Sequence, residues 1–295
     1  MKQSLTTALT VLLVLLLLAL LVGAGMRLRG QGLRMAFVHR VRAIVHRNDV
    51  VRRGDFTDVI FLHHSVGRNL INQGGVRERL TEAGFRFWDH DYNWEGLTRP
   101  DGTPAGYSYG IPGDNTDPDG LACIFSQPAF PWPVNAFSGL LQHEVIIVKS
   151  CFPNSNIQSD EQLQEIQGHY LKMRERIDRF PDRLFIIVTS PPLNPAETTP
   201  EAAARARALS RWLQSDEFLA GHPNLAVFDL FGLLAEDNPT APDFNMLRAE
   251  YREGTDSHPN RFANETIGPI FADFIIQTAR SYNDRMTNDR MTNDQ

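Results

Sequence analysis

The 295-residue chain carries 35 acidic against 29 basic side chains, a net charge of −6, with 42% hydrophobic residues. That length holds a short targeting segment and one α/β domain with a sizeable core, and leaves no room for a second full domain. The basic residues crowd near the start, at Lys2 and the arginines from Arg27 to Arg53, so the remainder is acidic and nucleic acid is not expected as a ligand.

Residues 3–26 contain no charge, and Val11 to Val22 is almost entirely Leu and Val. A bilayer-spanning helix needs about 20 apolar residues. A cleavable signal peptide has about 7–15 and a small-residue cleavage site, which Val22-Gly-Ala-Gly imitates. The length favours an uncleaved transmembrane anchor over 1–26, a single pass at the cell membrane. Residues 27–56 follow as a basic juxtamembrane segment. Within it, 33–47 mixes Arg and His with Leu, Phe, Val and Ile, the composition of an amphipathic helix lying on membrane lipid or of an ordinary linker helix. Cys123 and Cys151 are too few for a disulfide scaffold, and one bridge or two buried thiols are both open.

From there, short apolar runs alternate with longer polar segments. Asp58-Val-Ile-Phe-Leu-His is a strand of the kind buried on both faces of a parallel sheet. Phe85-Arg-Phe-Trp is a second. About fifty residues rich in Gly, Pro, Asp and Asn extend to Pro133 as a long loop, and Glu144–Lys149 is the third strand. A helix opens at Ser159, with Gln162 completing a capping box, and runs to about Arg179. Leu184–Thr189 is the fourth strand, Thr199-Pro-Glu starts another helix, and Leu225–Asp229 is the fifth strand. The last helix covers about Asn260 to Ser281, and the repeating Asn-Asp-Arg-Met-Thr of 282–295 reads as a disordered tail. This order implies an α/β fold, a three-layer doubly wound parallel sheet, over residues 57–281. Ligands of such sheets bind beyond the carboxyl ends of the strands.

Four segments stand at those ends. The first strand delivers His63-His64-Ser65, where a serine can either present its hydroxyl as a nucleophile or cap the next helix. Gly110-Ile-Pro-Gly113 is a turn that can bring a backbone N–H to a ligand. Asn154 or Asn156 follows the third strand and offers a side-chain amide, or forms a turn. Asp256-Ser-His258 precedes the last helix, where a carboxylate-held imidazole would activate a serine, or Asp256 or Ser257 would cap the helix.

In this order the segments resemble the SGNH (GDSL-like) hydrolases. The resemblance spans roughly 57–281 and implies a flavodoxin-like sheet with Ser65 as nucleophile, His258 as base and Asp256 as its acid. It further implies an oxyanion hole made by Ser65, Gly113 and Asn154, with no cofactor. The chain departs from the family pattern in reading His-His-Ser for Gly-Asp-Ser and in spacing acid and base as Asp-x-His, which leaves a Ser/His dyad open. The distance of Gly113 from the second strand keeps Gly96 as a rival.

The activity implied is a membrane-tethered serine esterase removing acyl groups, O-acetyl foremost, from a small molecule or polysaccharide. Arginines just after the span would hold the domain in the cytoplasm by the positive-inside rule, whereas a surface-polymer esterase would be extracytoplasmic, the side expected here. The aromatics Trp88, Tyr92, Trp94, Tyr107, Tyr109, Phe125, Phe130 and Trp132 either form a sugar-stacking surface or staple the long loop to the domain. Competing readings are an acyltransferase with the same residues, a non-catalytic glycan-binding module, and a metal-dependent hydrolase using His63, His64, Asp89, His90, Asp91 and His258.

Overall fold

The computed structural model describes residues 31–91, 96–111 and 118–293. The uncharged run 3–26, Tyr92, Trp94 and Gly113 lie outside them. Among the described residues no helix is long and apolar enough to cross a membrane.

Helix α1 spans Gln31–Val45, β1 Asp58–Leu62, α2 Ser65–Gly74 and α3 Val76–Glu82. Strands β2 (Arg86–His90) and β3 (Leu97–Thr98) follow, then α4 (Pro118–Ser126), α5 (Ala136–Leu140) and β4 (Val145–Lys149). Helix α6 (Asp160–Ile177), β5 (Leu184–Val188), α7 (Pro200–Leu213), α8 (Asp216–Leu219), β6 (Leu225–Phe228), α9 (Leu230–Leu234) and α10 (Arg261–Asn293) complete the order.

The sheet order is β3-β2-β1-β4-β5-β6, parallel except for β3, which pairs antiparallel with β2 at the edge. Counting the parallel strands alone, this is the flavodoxin-like 2-1-3-4-5 order, whose switch point falls between β1 and β4. The period of two along each strand feeds two cores. Ile60, Leu62, Ile146, Val148, Phe185 and Ile187 face the layer of α4 to α8, while Val59, Phe61, Val145, Ile147 and Ile186 face α2, α3 and α10.

Local capping follows the sequence closely. The Ser159 hydroxyl accepts from the Gln162 amide at the start of α6, and Thr199 does the same for Ala202 with Pro200 at the first helical position. Gln162 closes its half of the box one residue early, accepting from the Gln158 amide.

Two expectations change. The long middle loop contains β3 and α4, held because Leu97, Leu121, Ile124 and Phe125 are buried in the core against the sheet. The final helix continues through 282–293, where a disordered tail was expected. Tyr282 is buried and donates to the Pro181 carbonyl at 2.6 Å, and Thr287 and Thr292 bond back to carbonyls four residues earlier. Cys123 is exposed, Cys151 is buried, and both thiols are free.

The closest helix contact sets the site. A Cβ on Gly268 of α10 would lie 2.4 Å from Gly74 Cα of α2, and one on Gly74 would lie 2.8 Å from Gly268 Cα, so both positions must be glycine for these backbones to touch. Helix α2 begins at Ser65 and α10 follows His258, so this crossing holds together the two helices next to those residues. Gly268→Ala is expected to destabilise the protein by about 1–3 kcal/mol through overpacking. An unchanged urea midpoint would show that the helices do not meet there.

Candidate active site

The carboxyl end of β1 runs into His63, whose amide continues the ladder by donating to the His90 carbonyl. His64 is extended and occupies the N-cap of α2, so Ser65 is the first helical residue and does not cap. Its side chain turns to the loop before α10, with Ser65 Oγ 2.7 Å from His258 Nε2. On the other side of the ring, Nδ1 lies 2.7 Å from Asp256 Oδ1, and the same carboxylate oxygen accepts the His258 amide at 3.1 Å. With Nδ1–H donating to the carboxylate, Nε2 is the nitrogen left to accept the Ser65 proton. The Asp-x-His spacing works because Asp256 folds back over its own loop. The cap of α10 is Asn260, whose side chain accepts from the Ala263 amide.

Burial would raise the Asp256 carboxyl, but the hydrogen bonds and charge of His258 outweigh it and hold the group below the ordinary aspartate range. It therefore stays ionised beside the imidazole throughout the neutral and weakly acidic range.

The loop that carries this pair is clasped by the segment after β5. Asn194 is buried and donates its amide nitrogen to the Gly254 and Asp256 carbonyls at 3.2 Å, and its backbone N–H donates to Ser257 Oγ at 2.9 Å. Ser257 in turn donates to the Glu197 carboxylate. Phe152, from the turn after β4, packs edge-on against His258 with ring centroids 5.1 Å apart. Sequence reasoning missed Asn194, Glu197, Ser257 and Phe152 as site residues; the available signal was that Asn194 and Phe152 each stand just beyond a strand end.

The oxyanion residues fare differently. Ser65 sits where a helix leaves its first amides to be satisfied from outside. Gly113 lies outside the described residues. Asn154 is buried in the short 3-10 turn Phe152–Ser155, and its amide donates to the Tyr170 hydroxyl at 3.1 Å. No bond links Asn154 to Ser65 or His258 among the described residues. Asn156 is exposed and accepts from the Gln158 side chain. The rival Gly96 has φ of 71° and passes so close to the Tyr107 carbonyl that a Cβ would lie 2.8 Å from it, which accounts for this glycine structurally.

Behind Ser65 the first-block histidine is braced rather than open. His63 lies 3.1 Å from Asp89 through Nε2 and 3.0 Å from the His64 carbonyl through Nδ1, and Arg77 pairs with the other Asp89 oxygen. Burial alone would raise Asp89, but His63 and Arg77 hold its carboxyl below the usual range. Gly67 permits this packing, since a Cβ there would lie 2.4 Å from His63 Cβ. Among the described residues no group of three or more His, Cys, Asp or Glu is arranged to hold a metal ion.

His90 closes β2. Its Nδ1 donates to the Asp91 carbonyl at 2.8 Å, and its Nε2 accepts the Tyr109 amide at 3.2 Å and the Ser108 hydroxyl at 3.1 Å. Full burial pushes its pKa down to about 4 from 6.5. The folded state therefore resists a proton that the unfolded chain accepts, so stability is lost as pH falls from about 6.5 towards 4. The shift corresponds to on the order of 3 kcal/mol. Urea midpoints at pH 7 and pH 5 should differ in wild type and converge in His90→Gln; equal slopes in the two proteins would contradict this.

Four of the six described rings expected to form a sugar-stacking surface do not face solvent. Trp88 is a core residue of β2 itself, and Tyr107, Tyr109 and Phe125 are buried because the segment after β2 packs down on the sheet. Phe130 and Trp132 are exposed, beside Arg52 and Arg47 respectively.

No family model and no curated protein matches the chain. Two solved structures share its arrangement in part. One is a protein assigned as an acylhydrolase from Bacteroides fragilis, 10% identical, covering 81% of this chain and 97% of its own with a TM-score of 0.49. The other is a GDSL-like lipase from Bacteroides thetaiotaomicron, 8% identical, covering 82% and 98% with a TM-score of 0.48. With TM-scores below 0.5 these likenesses carry no argument, and the chemistry is read from the side chains.

Proposed function

We propose that this chain is a serine esterase, with Ser65 as nucleophile, His258 as general base and Asp256 as the acid that orients it. The observation that carries the reading is the continuous chain from Ser65 Oγ through both nitrogens of His258 to Asp256, with 2.7 Å at each link. It stands at the carboxyl end of β1, beside the switch point of a parallel sheet.

In this reading the Ser65 proton passes to His258 Nε2 as Oγ attacks the ester carbonyl carbon. The oxyanion accepts from the Ser65 amide and from a second donor, for which Gly113 is proposed; one such donor is commonly worth about 10²–10³ in turnover. Asn154 is proposed as a third donor through the second N–H of its amide, the first being given to Tyr170. His258 then protonates the departing alcohol, and water releases the acyl group as a carboxylic acid by the reverse path.

An acetyl group is the proposed acyl part and a carbohydrate hydroxyl the proposed alcohol part, both following the family resemblance. Phe152 supplies an apolar wall beside His258 for a methyl group. Tethering through residues 3–26, with the domain on the extracytoplasmic side, belongs to the same proposal. Purified full-length chain should release carboxylic acid from aryl acetates and acetylated sugars, and more slowly as the acyl chain lengthens. Absence of release from every ester tried would refute the reading.

A further inference from the structure

Large apolar side chains left exposed on a folded domain are informative when they cluster. Among the described residues Met35, Phe37, Val41, Val45, Val51, Phe130 and Trp132 are exposed, and the others of this kind, Phe262, Ile270 and Met291, all lie on α10. The first group comes from two segments far apart in sequence. On α1, Phe37, Val41 and Val45 recur every four residues and form one outward stripe, 40%, 42% and 69% exposed, while Ala43 on the inward side is buried in the core. The second segment is the loop before α5. Arg47 joins the two, its guanidinium 4.1 Å from the centre of the Trp132 ring, and Arg52 shares a groove of about 300 Å³ with Phe130 and Pro131.

The polar members of this surface are mostly cationic. Arg40 and Arg42 flank the stripe and are exposed, as are Arg52 and Arg53 at its far end. Two acids border the surface: Asp49 is paired with His46 and Arg99, and Asp182 in the groove is paired with Arg183. Apolar side chains bordered by arginines, with a tryptophan at the edge, match the interface of an anionic bilayer, where apolar groups enter the acyl boundary and cations meet headgroups. The uncharged run 3–26 leads directly into this helix.

We propose that the outer stripe of α1, together with Trp132 and Phe130, is a docking surface for an anionic lipid bilayer. The surface runs along the β3 edge of the sheet, from Arg40 beside Gly110 to Arg52 beside Leu141 and Arg183 at the amino ends of β4 and β5. This inference stands independently of the esterase reading.

The test uses full-length chain in phosphatidylglycerol vesicles whose acyl chains carry bromine, a quencher of nearby indole. Wild type should lose fluorescence that Trp132→Phe no longer loses, and Arg52→Glu/Arg53→Glu should reduce the quenching although the chain still sediments with the vesicles. Equal quenching in wild type and Trp132→Phe would overturn the proposal. So would quenching unaffected by the arginine variant, which removes the anionic partner, or cross-links between Val45-labelled copies in place of quenching, which would assign the surface to a second copy.

Discussion

Replacing Ser65 by alanine is expected to lower ester hydrolysis by about 10⁴–10⁶, the range of nucleophile losses in comparable triads. Folding should survive. Ser65 is the first residue of α2 with His64 at the N-cap, and the bond to His258 that the change removes is worth about 1 kcal/mol. Alanine is also well tolerated in a first helical turn. The check is a rate on aryl acetate alongside a urea midpoint for the same preparation. A stable Ser65→Ala protein that turned over at the wild-type rate would remove Ser65 from the chemistry.

The second large effect concerns the acid. Asp256→Asn is expected to cost up to about 10⁴ in turnover, because the new side chain can donate to Nδ1 and favours the tautomer with a proton on Nε2. That tautomer cannot take the Ser65 proton. A Ser/His dyad would respond far less, since a backbone carbonyl supporting the imidazolium is untouched by the substitution. The 2.7 Å contact to Nδ1 and the second bond to the His258 amide favour the triad. His258→Ala serves as the reference, because base and nucleophile act as a unit and their losses do not add. If Asp256→Asn kept nearly full activity while His258→Ala lost it, Asp256 would be a loop brace and the dyad would stand.

Much of this architecture was legible in the sequence for a simple reason. Strands buried on both faces must be apolar throughout, so β1, β4 and β5 announce themselves as continuous runs, and the residues just beyond them are the ones a parallel sheet presents to a ligand. Ser65 was singled out that way, and His258 by its place before the last helix in the order the family resemblance implies; the structure brings their side chains within 2.7 Å of each other. Asp256 was legible as a candidate, but its pairing depends on a backbone fold-back that no spacing encodes. Asn154 shows the limit. Its position after β4 is the expected one, yet the turn that Phe152 and Pro153 start carries its amide to Tyr170, a partner on α6 that only the packed structure reveals. The aromatic loop misled for the opposite reason, since Trp88, Tyr107, Tyr109 and Phe125 have the composition of a sugar platform and the packing of a core. The tail failed as disorder because its helix gains Tyr282 and Met286 as contacts to the sheet layer, which a local repeat does not show.

The central claim is that Ser65 is an activated nucleophile, and a fluorophosphonate probe tests it most directly, because the serine oxygen attacks phosphorus, displaces fluoride and is left as a stable phosphonate ester. Full-length chain treated with the probe and digested should carry the phosphonyl group on the peptide containing Ser65, with labelling lost in Ser65→Ala and His258→Ala. A protein that hydrolyses esters yet takes the probe elsewhere, or takes none, would contradict the assignment of Ser65 as the nucleophile.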